Sequence, residues 1–401
     1  MTKLVSFYAS VAIAICTLTA CSINSSSTTN LEPTQTNSLS VEELRLTKLV
    51  SEKPQLSLVF KQNLADFEQA ITQAKSFSEL NAVVAKHANL LWQVATTKLQ
   101  AKNSTYDDRP LYWARLQFSK MLKTSRYAIT LTPEQLDLLY WTMERASRGQ
   151  KDINFSNDEV KKVLVTGFDP FFLDRNIAQS NPSGLAALLL DGKVITTRKG
   201  KVQIESAIFP VRFIDFDLGE VENFLMPFYQ SNSVDMIATI SMGREHFDLE
   251  RFPGLRRSAK APDNLNVFTG ASSQNPIIPL FKNQPLSGPE FVEFSLPVAA
   301  MQQALGRYQV NDNNEVTTLE KNFHPKVYAD LTGSTSVAGS GGGYLSNEIS
   351  YRSINLRNKL GSQIPTGHIH TPRIQGFEPQ VEKQIVQQIE AMLVKGINSL
   401  K

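Results

Sequence analysis

Lys161-Lys162-Val163-Leu164-Val165-Thr166-Gly167-Phe168-Asp169-Pro170-Phe171 is the stretch on which the reading of this chain turns. Three consecutive apolar residues closed by Thr-Gly predict a short strand buried on both faces, and Gly167 and Pro170 end it. Downstream, residues 202–211 alternate with Ile204 and Ile208 among the apolar positions, and residues 236–240 form a third apolar run ending at Ser241-Met242-Gly243. Helical patterns cover residues 184–190 and 218–229, and a last helix places Val381, Ile385, Ile389 and Met392 on one face. Strands that alternate with helices predict an α/β domain over residues 160–401, three-layered and with a mostly parallel sheet. In such sheets functional residues gather at the carboxyl ends of strands. Residues 264–297, rich in Pro, Asn and Gln, read as a long loop or small insertion.

Upstream the texture is helical. Ser40 and Glu43 are spaced as a capping box. Phe60, Leu64, Phe67 and Ile71 share one helical face, and Leu80, Val84, His87, Leu91 and Val94 another. His87 on that face reads as a core histidine. Residues 113–122 predict a further helix. Thr132-Pro133-Glu134-Gln135 predicts a helix start, with an end near Arg148 and a stop at Gly149. Residues 41–155 are therefore expected to form a mainly helical N-terminal region, with nothing in it that suggests chemistry.

The first 20 residues have the grammar of a signal peptide: Lys3, an apolar core, then Leu18-Thr19-Ala20 before Cys21. They resemble a bacterial lipoprotein signal, which implies lipidation at Cys21 and attachment to the membrane. Ser22 carries no acidic retention signal, so the expected location is the cell envelope, at the outer membrane facing the periplasm. Residues 21–40, rich in Ser, Thr and Asn, read as a flexible tether. The chain's two cysteines are Cys16 and Cys21. One would leave with the signal and the other would carry lipid, so no thiol chemistry is expected of the mature protein. Across all 401 residues, 41% hydrophobic and 20% charged residues describe an ordinary globular protein. A net charge of +3 gives no reason to expect a nucleic-acid partner.

Gly339-Ser340-Gly341-Gly342-Gly343 leads into Tyr344-Leu345-Ser346-Asn347-Glu348, a loop-to-helix junction. A hydroxyl placed there lies close to free backbone N–H groups and the positive end of a helix dipole, which suits a nucleophile and its oxyanion. Four further stretches join it: Gly167-Phe168-Asp169-Pro170-Phe171, Asn181-Pro182, Gly243-Arg244 with Leu249-Glu250-Arg251, and Gly367-His368-Ile369-His370-Thr371-Pro372. In this order they resemble the pyroglutamyl peptidase I family over roughly residues 161–395. The resemblance implies a peptidase-like hydrolase of N-terminal pyroglutamyl amides, with Ser346 as nucleophile, His370 as base and Glu250 as the acid that orients it. It implies substrate contacts from Phe168, Phe171, Asn181 and Lys260, a peptide or small amide as substrate, and neither metal nor other cofactor.

The chain departs from the family at named places. Ser346 replaces the family's cysteine, Lys260 replaces an arginine, four extra residues lie between Phe172 and Asn181, and Pro253-Gly254 follows the Glu250 segment. A serine depends wholly on its base, whereas a thiol is partly ionised near neutrality. The alternative is therefore a catalytically inactive envelope lipoprotein that binds a peptide or cell-wall ligand in the same pocket. Two local rivals remain: Ser340, in an approximate nucleophile elbow, and a metal held by His368 and His370. Ser340 reads better as part of a glycine turn, and the histidines would need additional ligands, with His246, Asp248 and Glu250 sharing only a predicted strand-end rim with them.

Overall fold

In the computed structural model, residues 38–156 and 159–400 are described; the signal, Cys21 and most of the tether lie outside them. The N-terminal region is helical throughout: α1 (Val41–Glu52), α2 (Pro54–Leu58), α3 (Lys61–Gln73), α4 (Phe77–Gln100), α5 (Arg109–Thr124), α6 (Tyr127–Thr130) and α7 (Pro133–Ala146). The two expected helix starts form. The Glu43 N–H donates to Ser40 and the Ser40 N–H to Glu43, and Thr132 and Gln135 are bonded reciprocally in the same way. Gly149, with φ of +79°, turns the chain after α7 where a side chain would collide with the Trp92 ring.

The α/β part then runs β1 (Val160–Phe168), α8 (Pro182–Leu190), β2 (Lys193–Thr197), β3 (Gly200–Phe209), α9 (Phe213–Asp217), α10 (Glu220–Ser231), β4 (Met236–Met242) and β5 (Phe247–Glu250). A largely irregular stretch follows, containing the hairpin β6 (Leu280–Phe281) and β7 (Gln284–Pro285) and a short helix α11 (Val298–Met301). The chain ends with β8 (Val310–Asn313), β9 (Val316–Thr318), β10 (Asn322–Phe323), β11 (Ser336–Ala338), α12 (Leu345–Lys359), β12 (Thr366–Thr371) and α13 (Pro379–Ser399).

The main sheet has seven strands in the order β2-β3-β1-β4-β12-β5-β8. Its central strands β3, β1, β4 and β12 are parallel; β2 runs antiparallel to β3, and β5 antiparallel to β12. The sheet is thus mixed, with a parallel centre, and helices cover both faces. Alternation along β1 sends Val163 and Val165 into one core, with Leu185 and Leu188 of α8 and Ile385 and Ile389 of α13. Leu164 faces the other core, with Val221 and Leu225 of α10 and Ile349 of α12.

The first of these cores runs on without a break into α3, α4 and α5 through Phe67, Leu91, Trp92 and Phe118. The Trp92 indole N–H donates to Asp191 just after α8 at 2.9 Å. The helical region and the sheet therefore share one hydrophobic interior, and the described residues form one compact unit. His87 is half-buried with its ring 5.7 Å from that of Phe67. Among the described residues no helix is long and apolar enough to cross a membrane.

Candidate active site

The carboxyl ends of β1, β3 and β4 meet the start of α12 around one small pocket. Phe168 and Phe171 follow β1, Val211 follows β3, and Ser241 and Met242 end β4; Asn181, Tyr344, Leu345 and Ser346 complete the lining. This is where an open α/β sheet collects ligands, because each parallel strand there delivers a loop to the same rim.

Four of the sequence-predicted residues, Phe168, Phe171, Asn181 and Ser346, thus share one pocket. Asn181 has a structural task in it. Its side-chain oxygen accepts from the Ser183 N–H and hydroxyl at 3.1 and 2.8 Å, capping α8, and its amide donates to the Asp169 carbonyl at 2.9 Å. The Tyr344 hydroxyl likewise donates to the Pro262 carbonyl at 2.8 Å. The pocket's own polar groups are turned to the protein, leaving aromatic and aliphatic surface for a ligand.

Ser346 occupies the second position of α12, whose first turn has no side-chain cap. Its N–H groups are those that a helix leaves without intrahelical partners. The Ser346 hydroxyl donates to the Gly341 carbonyl at 3.4 Å, a long bond. The glycine loop before it is a tight turn in which Gly339 and Gly342 exchange backbone hydrogen bonds of 2.9 Å. A side chain at Gly339 would collide with Asn347 and with the backbone of Gly254. Asn347 pins that neighbour, accepting from the Gly254 N–H at 2.9 Å and donating to its carbonyl at 2.7 Å. The Pro253-Gly254 departure is therefore built into the seat of α12.

Glu250 ends β5 and His370 lies on the adjacent β12, where antiparallel pairing sets His370 opposite Asp248. The His370 Nδ1 and a Glu250 carboxylate oxygen are joined by a short hydrogen bond. Asn313, at the end of β8, donates to the other Glu250 oxygen at 2.9 Å and is also within 2.9 Å of the Ser340 carbonyl. Burial pushes the Glu250 carboxyl above its ordinary value, against the pull of His370 and Asn313. Gly243 gives His370 room, since a Cβ there would lie 2.6 Å from the His370 Cβ. His370 and Thr371 are in register with Ser241 and Met242, which line the pocket. The Glu–His pair is therefore one strand removed from the pocket, and among the described residues no hydrogen bond joins His370 to Ser346.

The remaining candidates separate clearly. Lys260 is exposed and lines none of this pocket. Ser340 is buried, and its hydroxyl accepts from the Phe252 N–H at 2.9 Å, a structural clasp. His368 is fully buried with both ring nitrogens 2.8 Å from hydroxyls, those of Thr239 and Ser241. Burial, with His370 alongside, holds its imidazole well below the ordinary histidine value, so it is neutral. Among the described residues no group of three or more His, Cys, Asp or Glu is placed to hold a metal ion.

Sequence reasoning missed Asn313, which sits in an Asn311-Asp312-Asn313-Asn314 run that reads as a turn. It also missed Arg257, buried beside the site and bidentate to both Glu348 of α12 and Asp217. Burial opposes ionisation of Glu348, but Arg257 and Arg352 hold its carboxyl below the usual range.

Fold and site together define a mixed α/β protein with a buried Glu–His pair and an aromatic pocket at its strand ends. The chain belongs to the PA0049 family: the PA0049 N-terminal domain matches residues 24–144, and the PA0049 C-terminal domain residues 162–287 and 302–375. It is 26% identical to the uncharacterized protein PA0049 of Pseudomonas aeruginosa, over 76% of this chain and 72% of that one. Among solved structures it resembles mutant forms of pyrrolidone carboxyl peptidase from Pyrococcus furiosus. One mutant matches at 20% identity and a TM-score of 0.42, covering 60% of this chain and all of that one. A second mutant of the same enzyme matches at 21% identity with the same TM-score and coverage.

Proposed function

We propose that the chain hydrolyses an amide beside an N-terminal pyroglutamyl, or similarly capped, residue through Ser346, His370 and Glu250. The observation that carries this reading is the buried Glu250–His370 hydrogen bond, one strand from a pocket that Ser346 shares with Phe168 and Phe171. In the proposed reaction the Phe168 and Phe171 rings cover a flat lactam. The Ser346 oxygen attacks the carbonyl carbon while its proton passes to His370 Nε2, the nitrogen left when Glu250 holds Nδ1. Glu250 fixes the tautomer and stabilises the imidazolium. First-turn N–H groups of α12 receive the developing oxyanion. The imidazolium then returns its proton to the departing amine as the C–N bond breaks, and water activated by the same histidine releases the acyl group.

A second reading has its own observation: the Ser346 hydroxyl donates to the Gly341 carbonyl and not to a base. On that reading the pocket binds a capped peptide or a cell-wall fragment without cleaving it. A fluorogenic pyroglutamyl amide offered to the native chain, Ser346→Ala and Ser346→Cys decides between them. Turnover by the native chain that falls by about 10⁴ or more in Ser346→Ala supports the serine triad. A silent native chain that gains activity in Ser346→Cys supports the binding reading, and silence from all three removes pyroglutamyl cleavage altogether. The envelope location and the anchor at Cys21 belong to the same proposal. They rest on the sequence of residues 1–22 and are tested by metabolic labelling of the protein with a radioactive fatty acid.

A further inference from the structure

The loop that carries Phe168, Phe171 and Asn181 is held on one side by residues 374–382, through Gln179 and Ser180, and on the other by the helical region. Asp169 lies between the two pocket phenylalanines, and its carboxylate is buried. Arg115 of α5 grips it with both terminal nitrogens, at 2.7 and 3.3 Å, and Arg148 beyond α7 adds a third contact at 2.6 Å. Asp108, which precedes α5, accepts from the Asn181 N–H at 3.1 Å, and Arg109 donates to the Ala178 carbonyl at 2.8 Å. From α1, Arg45 forks onto Asp174 at 2.8 and 2.7 Å and reaches the Asn264 carbonyl at 2.5 Å. The Asn264 amide in turn donates to the Pro170 carbonyl at 2.9 Å.

Between these anchors the loop includes Phe172 at φ +60°, a left-handed conformation that a bulky residue adopts only under constraint. Burial works against the Asp169 charge, yet the two arginines hold its carboxyl below the ordinary range. The guanidinium side of the clamp is permanently ionised and has a fixed fork geometry.

We infer that the helical region is the mould of the acyl-binding pocket, with Arg115 and Arg45 as positioning residues that set Phe168 and Phe171 for a flat, capped N-terminal residue. The inference rests on the proposed function for its substrate and on the clamp itself for its geometry. Substrate binding is its target, because Ser346, His370 and Glu250 are seated on α12, β12 and β5, away from these contacts.

The experiment uses the full chain with Asp174→Asn, whose side chain is 49% exposed and whose loss is therefore tolerable, and Arg115→Lys, which keeps the charge and loses the fork. Hydrogen–deuterium exchange is followed in peptides covering residues 168–181 and 345–359, and kcat and KM are measured on a pyroglutamyl amide. Both variants are expected to speed exchange in 168–181 at least tenfold and leave 345–359 unchanged. KM should rise at least tenfold, with kcat within threefold of native. Unchanged exchange in 168–181 would overturn the inference, and so would a parallel fall in kcat with no change in KM. A native chain that hydrolyses no pyroglutamyl amide would remove the substrate reading, while the exchange result would still decide whether the helices hold the loop.

Discussion

Two kinds of charged cluster flank the same pocket. Behind the β1 loop, Glu42, Glu144 and Asp169 are tied by Arg115, Arg148 and Arg212; beneath α12, Asp217, Glu222 and Glu348 are tied by Arg257 and Arg352. At the strand ends stands one carboxylate–imidazole pair, Glu250 with His370. The first kind pairs acids with guanidinium groups, which stay charged in a protein and hold geometry, although burial still raises the Asp217 carboxyl above its ordinary value. The second joins a buried carboxylate, whose charge burial disfavours, to an imidazole. Guanidinium groups frame this site, and the Glu–His pair stands where the proposed reaction would transfer a proton.

The comparison can be broken at its framing side first. Arg352 is completely buried and serves Glu348 and Glu222. Removing one partner strands the others without water, so Arg352→Met should cost about 3–5 kcal/mol of folding stability in denaturant titrations. A loss under about 1 kcal/mol would mean that the cluster is not a frame. On the side of the Glu–His pair, Asn313→Ala leaves a buried Glu250 oxygen without its donor, a penalty of about 1–3 kcal/mol. If that oxygen matters in the charged state, kcat/KM should fall roughly ten- to a hundredfold. The protonated fraction of Glu250 should also grow, moving the acid limb of the pH profile upward. A variant with native rate and native profile would assign Asn313 to the glycine loop alone.

The smallest effect concerns a carboxylate in neither class. Asp191 receives the Trp92 indole and the Ser206 N–H, yet burial raises its carboxyl to about 7, with Glu205 adding to the shift. The folded chain therefore binds a proton there that the unfolded chain has already released between roughly pH 4 and 7. Stability should fall as pH rises through that window, by at most about 1.4 kcal/mol per pH unit for this group. Asp191→Asn should flatten that part of the pH–stability curve. An unchanged slope would show that Asp191 is ionised in the fold.

Particular residues explain what was legible in the sequence. Val163, Leu164 and Val165 announced β1 because a strand buried on both faces must be apolar without interruption. Residues 236–240 announced β4 for the same reason. The edge strands left no such trace: β2 is Lys-Val-Ile-Thr-Thr with mostly exposed side chains, and β8 is Val-Asn-Asp-Asn. Edge strands are short and polar because water faces them, so their composition matches that of loops. Glu250 and His370 were marked by motif, but their meeting depends on β5 lying antiparallel against β12, a fact of topology. Arg115 and Arg45 could not be recognised at all. A charged residue on an amphipathic helix looks solvated until the surface that buries it is known, so the helical region read as chemically silent.

The place of β12 in the sheet has a consequence in time. It lies between β4 and β5, yet it is made long after both, with 120 residues separating Glu250 from His370. At about 5–20 residues per second, a ribosome needs roughly 6–24 s to cover that interval. Until β12 is made, the place between β4 and β5 cannot be filled by its own strand. The newly made chain therefore lacks its central strand until almost the whole of it has been made. Its middle is assembled last.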